Sequence, residues 1–323
     1  MKKFFLFFLI LVYTGAFIYS ESISGHSFSL GVSFGLLNGE GEEIVYTSSS
    51  SSDLYSRLNW DIKPLFYAGV DLDYKWKSGA SRLGFFTDIG FKYCIPGCTG
   101  VTEDRDWMDI HENPTYPWLN LFSEHECYAK TGILLDFNIG MTVDLVYELK
   151  LKLFLSYSLM YYSWLAKNGS VLYPPGFSPG HVQVSGDGIE YEQLWNIFSP
   201  GVSVYGSTNR FYDIEIFIKY SPLVWCNAVD YHIVKKSRYI DTLFSGFYIE
   251  PGFMVSYKPY SALCFLLSFD YRYLGGLRGY TTIKRPGYPD IIDYGAGAAY
   301  SAVNVTLAAK YTFENLGKPK RDF

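Results

Sequence analysis

Beyond its first two dozen residues the chain contains no long uninterrupted apolar run. A membrane-spanning helix needs about 20 such residues in a row, so none is evident there. A surplus of one charge is lacking too: 27 Lys and Arg stand against 32 Asp and Glu, a formal net charge of −5. No clustered basic face is offered to a nucleic acid, so that class of partner is not expected. Cysteine is scarce. The five thiols, Cys94, Cys98, Cys127, Cys226 and Cys264, cannot all pair within one chain. Cys94 and Cys98 flank the turn-like Ile95-Pro96-Gly97, which fits either a local loop disulfide or free thiols. His26, His111, His125 and His181 are scattered, so no second His stands at ligand spacing for zinc. A Gly-x-Ser-x-Gly nucleophile elbow is missing, as is a phosphate-binding Walker loop. No metal or cofactor is expected from this pattern.

What the chain does have begins with an export signal. Lys2 and Lys3 precede the apolar run Phe4 to Val12, and small or polar residues (Thr14, Gly15, Ala16, Ser20) follow. A basic n-region, a short apolar h-region and a permissive cleavage zone predict a signal peptide over residues 1–20. The remainder is rich in aromatics: 30 Tyr, 25 Phe and 7 Trp in the whole chain. Membrane barrels use Tyr and Trp as girdles at both interfaces and turn Phe and Leu to lipid.

Read in steps of two, segment after segment separates into an apolar and a polar face. Arg57, Asn59, Asp61 and Lys63 alternate with Leu58, Trp60 and Ile62; Asp71, Asp73 and Lys75 with Val70, Leu72, Tyr74 and Trp76. Lys150 and Lys152 alternate with Leu149, Leu151 and Leu153, and Asp213, Glu215 and Lys219 with Ile214, Ile216, Ile218 and Tyr220. Asp270 and Arg272 alternate with Phe269, Tyr271 and Tyr273. Successive strand side chains point to opposite faces, so these are strands. In a membrane barrel the apolar face meets lipid and the charged face lines the interior.

Short candidate turns lie at Lys77-Ser78-Gly79-Ala80, at Val146-Tyr147-Glu148, at Ser207-Thr208-Asn209-Arg210 and at Tyr257-Lys258-Pro259-Tyr260. Longer irregular stretches fall between them: the serine run Ser48 to Ser52, Cys94 to Phe122, Asn168 to Glu190, Asn227 to Tyr239, and Gly275 to Asp293. Four turns and five loops make nine connections, hence ten strands. The expected fold is all-β, a ten-stranded antiparallel transmembrane β-barrel over 21–313 with long extracellular loops. A short polar tail, 314–323, follows.

Two clusters carry candidate chemistry. In Glu103-Asp104-Arg105-Asp106-Trp107-Met108-Asp109 and in Ala228-Val229-Asp230-Tyr231-His232, acidic or imidazole groups stand at i and i+2. On extended backbone such pairs project to one face. Asp230 can orient the His232 imidazole, and a neutral His is the usual general base near neutral pH. Asp104 and Asp106 can hold a water for that base. Asp-x-Asp is also a common turn former or solvated pair, and a single Asp-x-His is equally ordinary. Spacing by itself leaves the function open.

The string Asp104-Arg105-Asp106-Trp107-Met108-Asp109 resembles the Asp-x-Asp-Trp-Met-Asp signature of omptins, and Asp230-x-His232 resembles their Asp-x-His pair. Arg57-Leu58-Asn59-Trp60, Phe217-Ile218-Lys219-Tyr220-Ser221 and Ala309-Lys310-Tyr311-Thr312-Phe313 extend the likeness from about Leu30 to Phe313. The resemblance implies a peptidase in a bacterial outer membrane, its site facing the cell exterior, acting on proteins or peptides. It implies that Asp104 and Asp106 hold a water, that His232 is the base and Asp230 its partner, with no covalent intermediate. It also implies cleavage between basic residues, with Glu43 as a substrate-binding glutamate. Two departures matter. The family's second acidic pocket residue is here Ala228, which predicts broader tolerance at that subsite. Two arginines that clamp lipopolysaccharide phosphate in omptins correspond to Tyr161 and Leu194, which cannot make bidentate charge-assisted bonds; outer-membrane lipid remains a partner, but dependence on lipopolysaccharide is not expected. The rival readings are an adhesin that keeps the scaffold and a porin-like channel. The four retained Asp and His groups disfavour the first. The small bore of ten strands disfavours the second.

Overall fold

The computed structural model describes residues 24–78, 81–107, 121–145, 149–173, 180–208 and 211–314. The predicted signal peptide, the turn at 146–148, the motif residues Met108 and Asp109, and nearly all of the predicted tail lie outside the described residues. No helix occurs among those described. The strand segments are β1 (Ser24–Tyr46), β2 (Leu54–Ser78), β3 (Leu83–Cys94), β4 (Gly97–Asp106), β5 (Leu121–Asp144), β6 (Leu149–Leu172), β7 (His181–Ser207), β8 (Tyr212–Ser221), β9 (Leu223–His232), β10 (Ser237–Phe244), β11 (Phe247–Tyr260), β12 (Leu263–Lys284) and β13 (Ile291–Glu314).

Thirteen segments make ten barrel strands because three strands are interrupted. β3 and β4 both lie between β2 and β5. β8 and β9 both line β7, and β10 and β11 both line β12. All neighbours are antiparallel. β1 pairs with β13 from Ser27↔Glu314 to Val45↔Ala296, which closes the ring. Closure satisfies every strand's backbone without an exposed edge, the requirement for spanning lipid with strands.

The lower half carries the expected lipid face. Phe34, Leu155, Ile216 and Leu307 are each more than 60% exposed, while Asp213, Glu215, Lys219, Asp270 and Arg272 point inward and are buried. These inward charges neutralise one another. Arg272 donates to Asp136 at 3.1 Å and to Asp270 at 3.3 Å, Lys219 meets Glu250 at 3.1 Å, and Lys152 meets Glu215 at 2.5 Å. Asn304 ties Asp270 to Tyr67.

Above this band the sense of the alternation inverts. Leu58, Trp60 and Ile62 are buried, and Arg57, Asn59 and Asp61 face outward. That corrects the expectation that the charged face of this segment lines the interior. The outside here is water instead of lipid, so burial of the apolar face is favoured. The switch is built at Lys63-Pro64, below which the odd-numbered residues Leu65 and Tyr67 point inward. Similar shifts occur in β5 between Ala129 and Thr131, between β8 and β9, between β10 and β11, and in β12 between Leu274 and Leu277, where Gly276 has φ +73°. β1, β6, β7 and β13 run through with unchanged sense.

One further expectation is corrected. Most of the supposed long loops are strand: β4 fills much of Cys94 to Phe122, β9 and β10 fill most of Asn227 to Tyr239, and β12 and β13 fill most of Gly275 to Asp293. Their Gly, Pro and polar content reflects water on the outer face, not irregular backbone. Of the two alternatives for Cys94 and Cys98 the structure has free thiols, the first buried and the second exposed.

A layer of aromatic rings closes the interior above the ionic layer. Trp60 stacks on Tyr191 at 5.2 Å between centroids, Tyr162 on Trp164 at 5.2 Å, and Tyr162 on Tyr300 at 5.5 Å. All five are essentially inaccessible. Gly41 makes room: a Cβ there would sit 3.2 Å from the Trp164 ring. A bore filled in this way is no aqueous channel.

Removing Arg272 leaves Asp136, Asp270 and Glu250 facing one another in the bore. Arg272→Ala is expected to lose about 3–5 kcal/mol of stability, whereas Lys167→Ala, which breaks the exposed Lys167–Asp187 pair, should change it by less than about 1 kcal/mol. Urea midpoints of the folded barrel in lipid bilayers check both values.

Candidate active site

The upper cup, above the aromatic layer, holds the residues singled out by sequence. On one wall β2 and β4 pair with Ser56 opposite Asp106 and Leu58 opposite Asp104. Glu43 of β1 stands opposite Leu58 as well, so Glu43, Leu58 and Asp104 form one cross-strand row. On the other wall β9 lies between β7 and β10, with Asp230 opposite both Tyr191 and Tyr239. Asp106 is the last residue of β4 and His232 the last of β9. Rigid ladders thus present both pairs at their outer ends.

His232 Nε2 lies 2.8 Å from Asp230 Oδ2. With Nε2–H donating to the carboxylate, the ring's lone pair sits on Nδ1. The His232 side chain retains 24% of its exposure and Asp230 only 4%; the imidazole is open to the cup while its partner is sealed beneath it. Tyr239 covers one side of the ring at 5.3 Å. On the facing wall Ser56 Oγ donates to Asp104 Oδ1 at 3.4 Å.

Electrostatics link the two walls. Burial pushes the Asp104 carboxyl up to about 7; Asp106 and Asp230 add to the rise, and His232 opposes it. Asp106 is raised by burial, against the opposing effects of the Ser56 hydroxyl, Lys235 and His232. Glu43 is raised well above the ordinary glutamate value by burial, then by Asp230, Asp241 and Asp104. These dependences bring all five residues named from sequence, Glu43, Asp104, Asp106, Asp230 and His232, into one cup.

One member was not named. Asp241 of β10 is buried, with its carboxyl up to about 7 through burial and the charge of Asp230. Thr281 Oγ1 donates to its Oδ1 at 2.6 Å. No local motif marks it. The only signal was the alternation of Asp241 with Ile240 and Thr242 in a segment that reads as ordinary strand. Tyr161 and Leu194 stand directly opposite one another on β6 and β7, with Glu192 two residues before Leu194 on β7.

A model of the omptin family matches residues 24–313. The chain belongs to the omptin family. It is 25% identical over 310 residues to the plasminogen activator of Yersinia pestis, an alignment covering 89% of each chain. Its fold is similar to that of the outer membrane protease OmpT from Escherichia coli, with a TM-score of 0.77 at 19% identity, over 89% of this chain and 97% of that one. As an omptin it is an outer-membrane protease, embedded as a β-barrel, with its active site facing the surface and peptides as substrates.

The omptin cup concentrates carboxyls whose folded pKa lies above the unfolded value, so its effect on stability has a definite sign. Between about pH 4 and about pH 7, folded Asp104 and Asp241 keep protons that the unfolded chain has released. Stability therefore falls as pH rises through that window and levels off above it. The urea midpoint is expected to be higher at pH 5 than at pH 8, and Asp104→Asn, which exchanges no proton, should narrow the difference. An unchanged difference in that variant would refute the assignment.

Proposed function

We propose that this omptin hydrolyses peptide bonds beside basic residues, using a water activated by His232. The observation that carries the proposal is the 2.8 Å His232–Asp230 contact facing the Asp104 and Asp106 carboxyls across the cup. His232 takes a proton from the water at Nδ1, and Asp230 holds the ring and stabilises the imidazolium that results. Asp104 and Asp106 accept hydrogen bonds from the same water and hold it between the walls. The water attacks the peptide carbonyl directly, and the imidazolium then returns the proton to the leaving amine. The buried, uncompensated Glu43 carboxyl is suited to a substrate cation beside the scissile bond.

His232→Ala and Asp104→Ala are each expected to lower kcat/KM by about 100- to 10,000-fold with the barrel still folded, because the closed ladder does not depend on either. Hydrolysis of a quenched dibasic peptide by refolded protein measures this, and near wild-type turnover in either variant sinks the assignment.

The outer wall supports a second expectation. Tyr161 and Leu194, flanked by Glu192, offer a phosphate no cation at the place where omptins clamp lipopolysaccharide. Added lipopolysaccharide is expected to leave peptide hydrolysis within about twofold, since a phosphate contact needs charge-assisted donors. The double variant Tyr161→Arg with Leu194→Arg should acquire a dependence. Strong stimulation of the unaltered protein would overturn this reading.

A further inference from the structure

Ala228, where omptins carry a second acidic pocket residue, does not leave the pocket with one anion. Across the β9–β10 ladder it stands directly opposite Asp241. Ala228 is completely buried, and Asp241 is 3% exposed and points inward from the neighbouring strand. Tyr191 lies beside both Asp241 and Glu43, and each of these two carboxyls feels the other's neighbours. The Asp241 carboxylate is oriented by Thr281.

The inward carboxylates of the lower barrel offer a contrast. Asp73, Asp136, Glu215, Glu250 and Asp270 each meet a Lys or Arg within 4.0 Å, and Asp88, without such a contact, has Lys152 and Lys75 nearby. Among the described residues, Glu43 and Asp241 have no such partner. Glu43 Oε2 is buried, 6% exposed as a residue, and makes no hydrogen bond. A buried carboxylate without cation or donor is costly. Each is held protonated by its burial until a cation replaces the proton, and a basic ligand side chain is such a cation.

We infer that Asp241 and Glu43 together form the cradle for a basic substrate side chain, so that the second pocket anion of this omptin is carried on β10 instead of β9. A guanidinium or ammonium entering the cup from above meets two carboxylates, Glu43 from β1 and Asp241 from β10, three strands apart around the ring. Moving the anion one strand over keeps its charge in the pocket while the position vacated at Ala228 holds only a methyl group. The broader tolerance that Ala228 by itself predicts is thereby reversed: preference for Arg or Lys stays strict. The kinetic part of this inference rests on the peptidase reading above; the binding part does not.

The test compares quenched peptides that differ only in Arg or its neutral isostere citrulline on either side of the bond. Asp241→Asn is expected to reduce the Arg-to-citrulline ratio of kcat/KM by about 10- to 100-fold, through KM, with a much smaller change on citrulline peptides. Ala228→Asp in the Asp241→Asn background should restore most of the ratio by returning the charge across the ladder. Titration of benzamidine into the detergent-solubilised barrel, followed by calorimetry, reads the same cradle without catalysis and should weaken by a similar factor in Asp241→Asn. A folded Asp241→Asn variant whose ratio and benzamidine affinity stay within about twofold of wild type overturns the inference, as does an equal loss on Arg and citrulline peptides. If Asp241→Asn fails to fold, Asp241→Glu must keep the ratio and Asp241→Ser must lose it. If the wild type binds benzamidine through Asp241 but cleaves nothing, the catalytic assignment fails and the cradle stands.

Discussion

A strand in lipid has nowhere to place its N–H and C=O groups except against another strand, because hydrocarbon offers no hydrogen bonds. Closure of β1 on β13 follows from that need, and the rest of the molecule follows from closure. Ten strands enclose a bore too narrow to be left empty and too polar, on its inward face, to be left unpaired. The lower part is filled by ions that neutralise one another around Arg272, and the part above it by stacked rings around Trp164. Substrate can then enter only from the outer end. The site sits where it does because the remaining volume is already occupied.

The cup shows how much destabilisation such a scaffold tolerates. Glu43, Asp104, Asp106, Asp230 and Asp241 converge in a space with one imidazole and no Lys or Arg ion pair among the described residues. In a small soluble domain that concentration of buried acid would rival the whole margin of stability. Here the ladder below supplies the margin, and below about pH 7 the protons kept by Asp104 and Asp241 reduce the unfavourable charge. The 2.8 Å contact of His232 with Asp230, with the Ser56 and Thr281 hydroxyls that donate to Asp104 and Asp241, is the local compensation.

The barrel was legible in the sequence wherever lipid lies outside. From Tyr212 to Ser221, for example, every second residue is apolar and the structure turns each of those outward. The catalytic candidates were legible because they form local i, i+2 pairs within a recognisable string. Legibility failed above the membrane. There Arg57 and Asp61 face water, so the same alternation means the opposite orientation, and Gly- and Pro-containing strands read as loops. Asp241 was invisible for a different reason. Its importance lies in standing opposite Ala228, a relation between strands that register creates and that no window along one strand contains.

The strand interruptions divide the labour in a way that bears on how such a protein can be altered. The four strands that run straight through, β1, β6, β7 and β13, supply four of the five rings of the floor, or Glu43 beside it. The other residues proposed to do chemistry or grip the substrate, Asp104, Asp106, Asp230, His232 and Asp241, all lie beyond a break. A break uncouples the phase of the upper segment from that of the span beneath. One wall of the cup can therefore slide, shorten or exchange a side chain with its neighbour while the transmembrane register stays put. The collar of breaks works like the ferrule between a handle and an interchangeable tool.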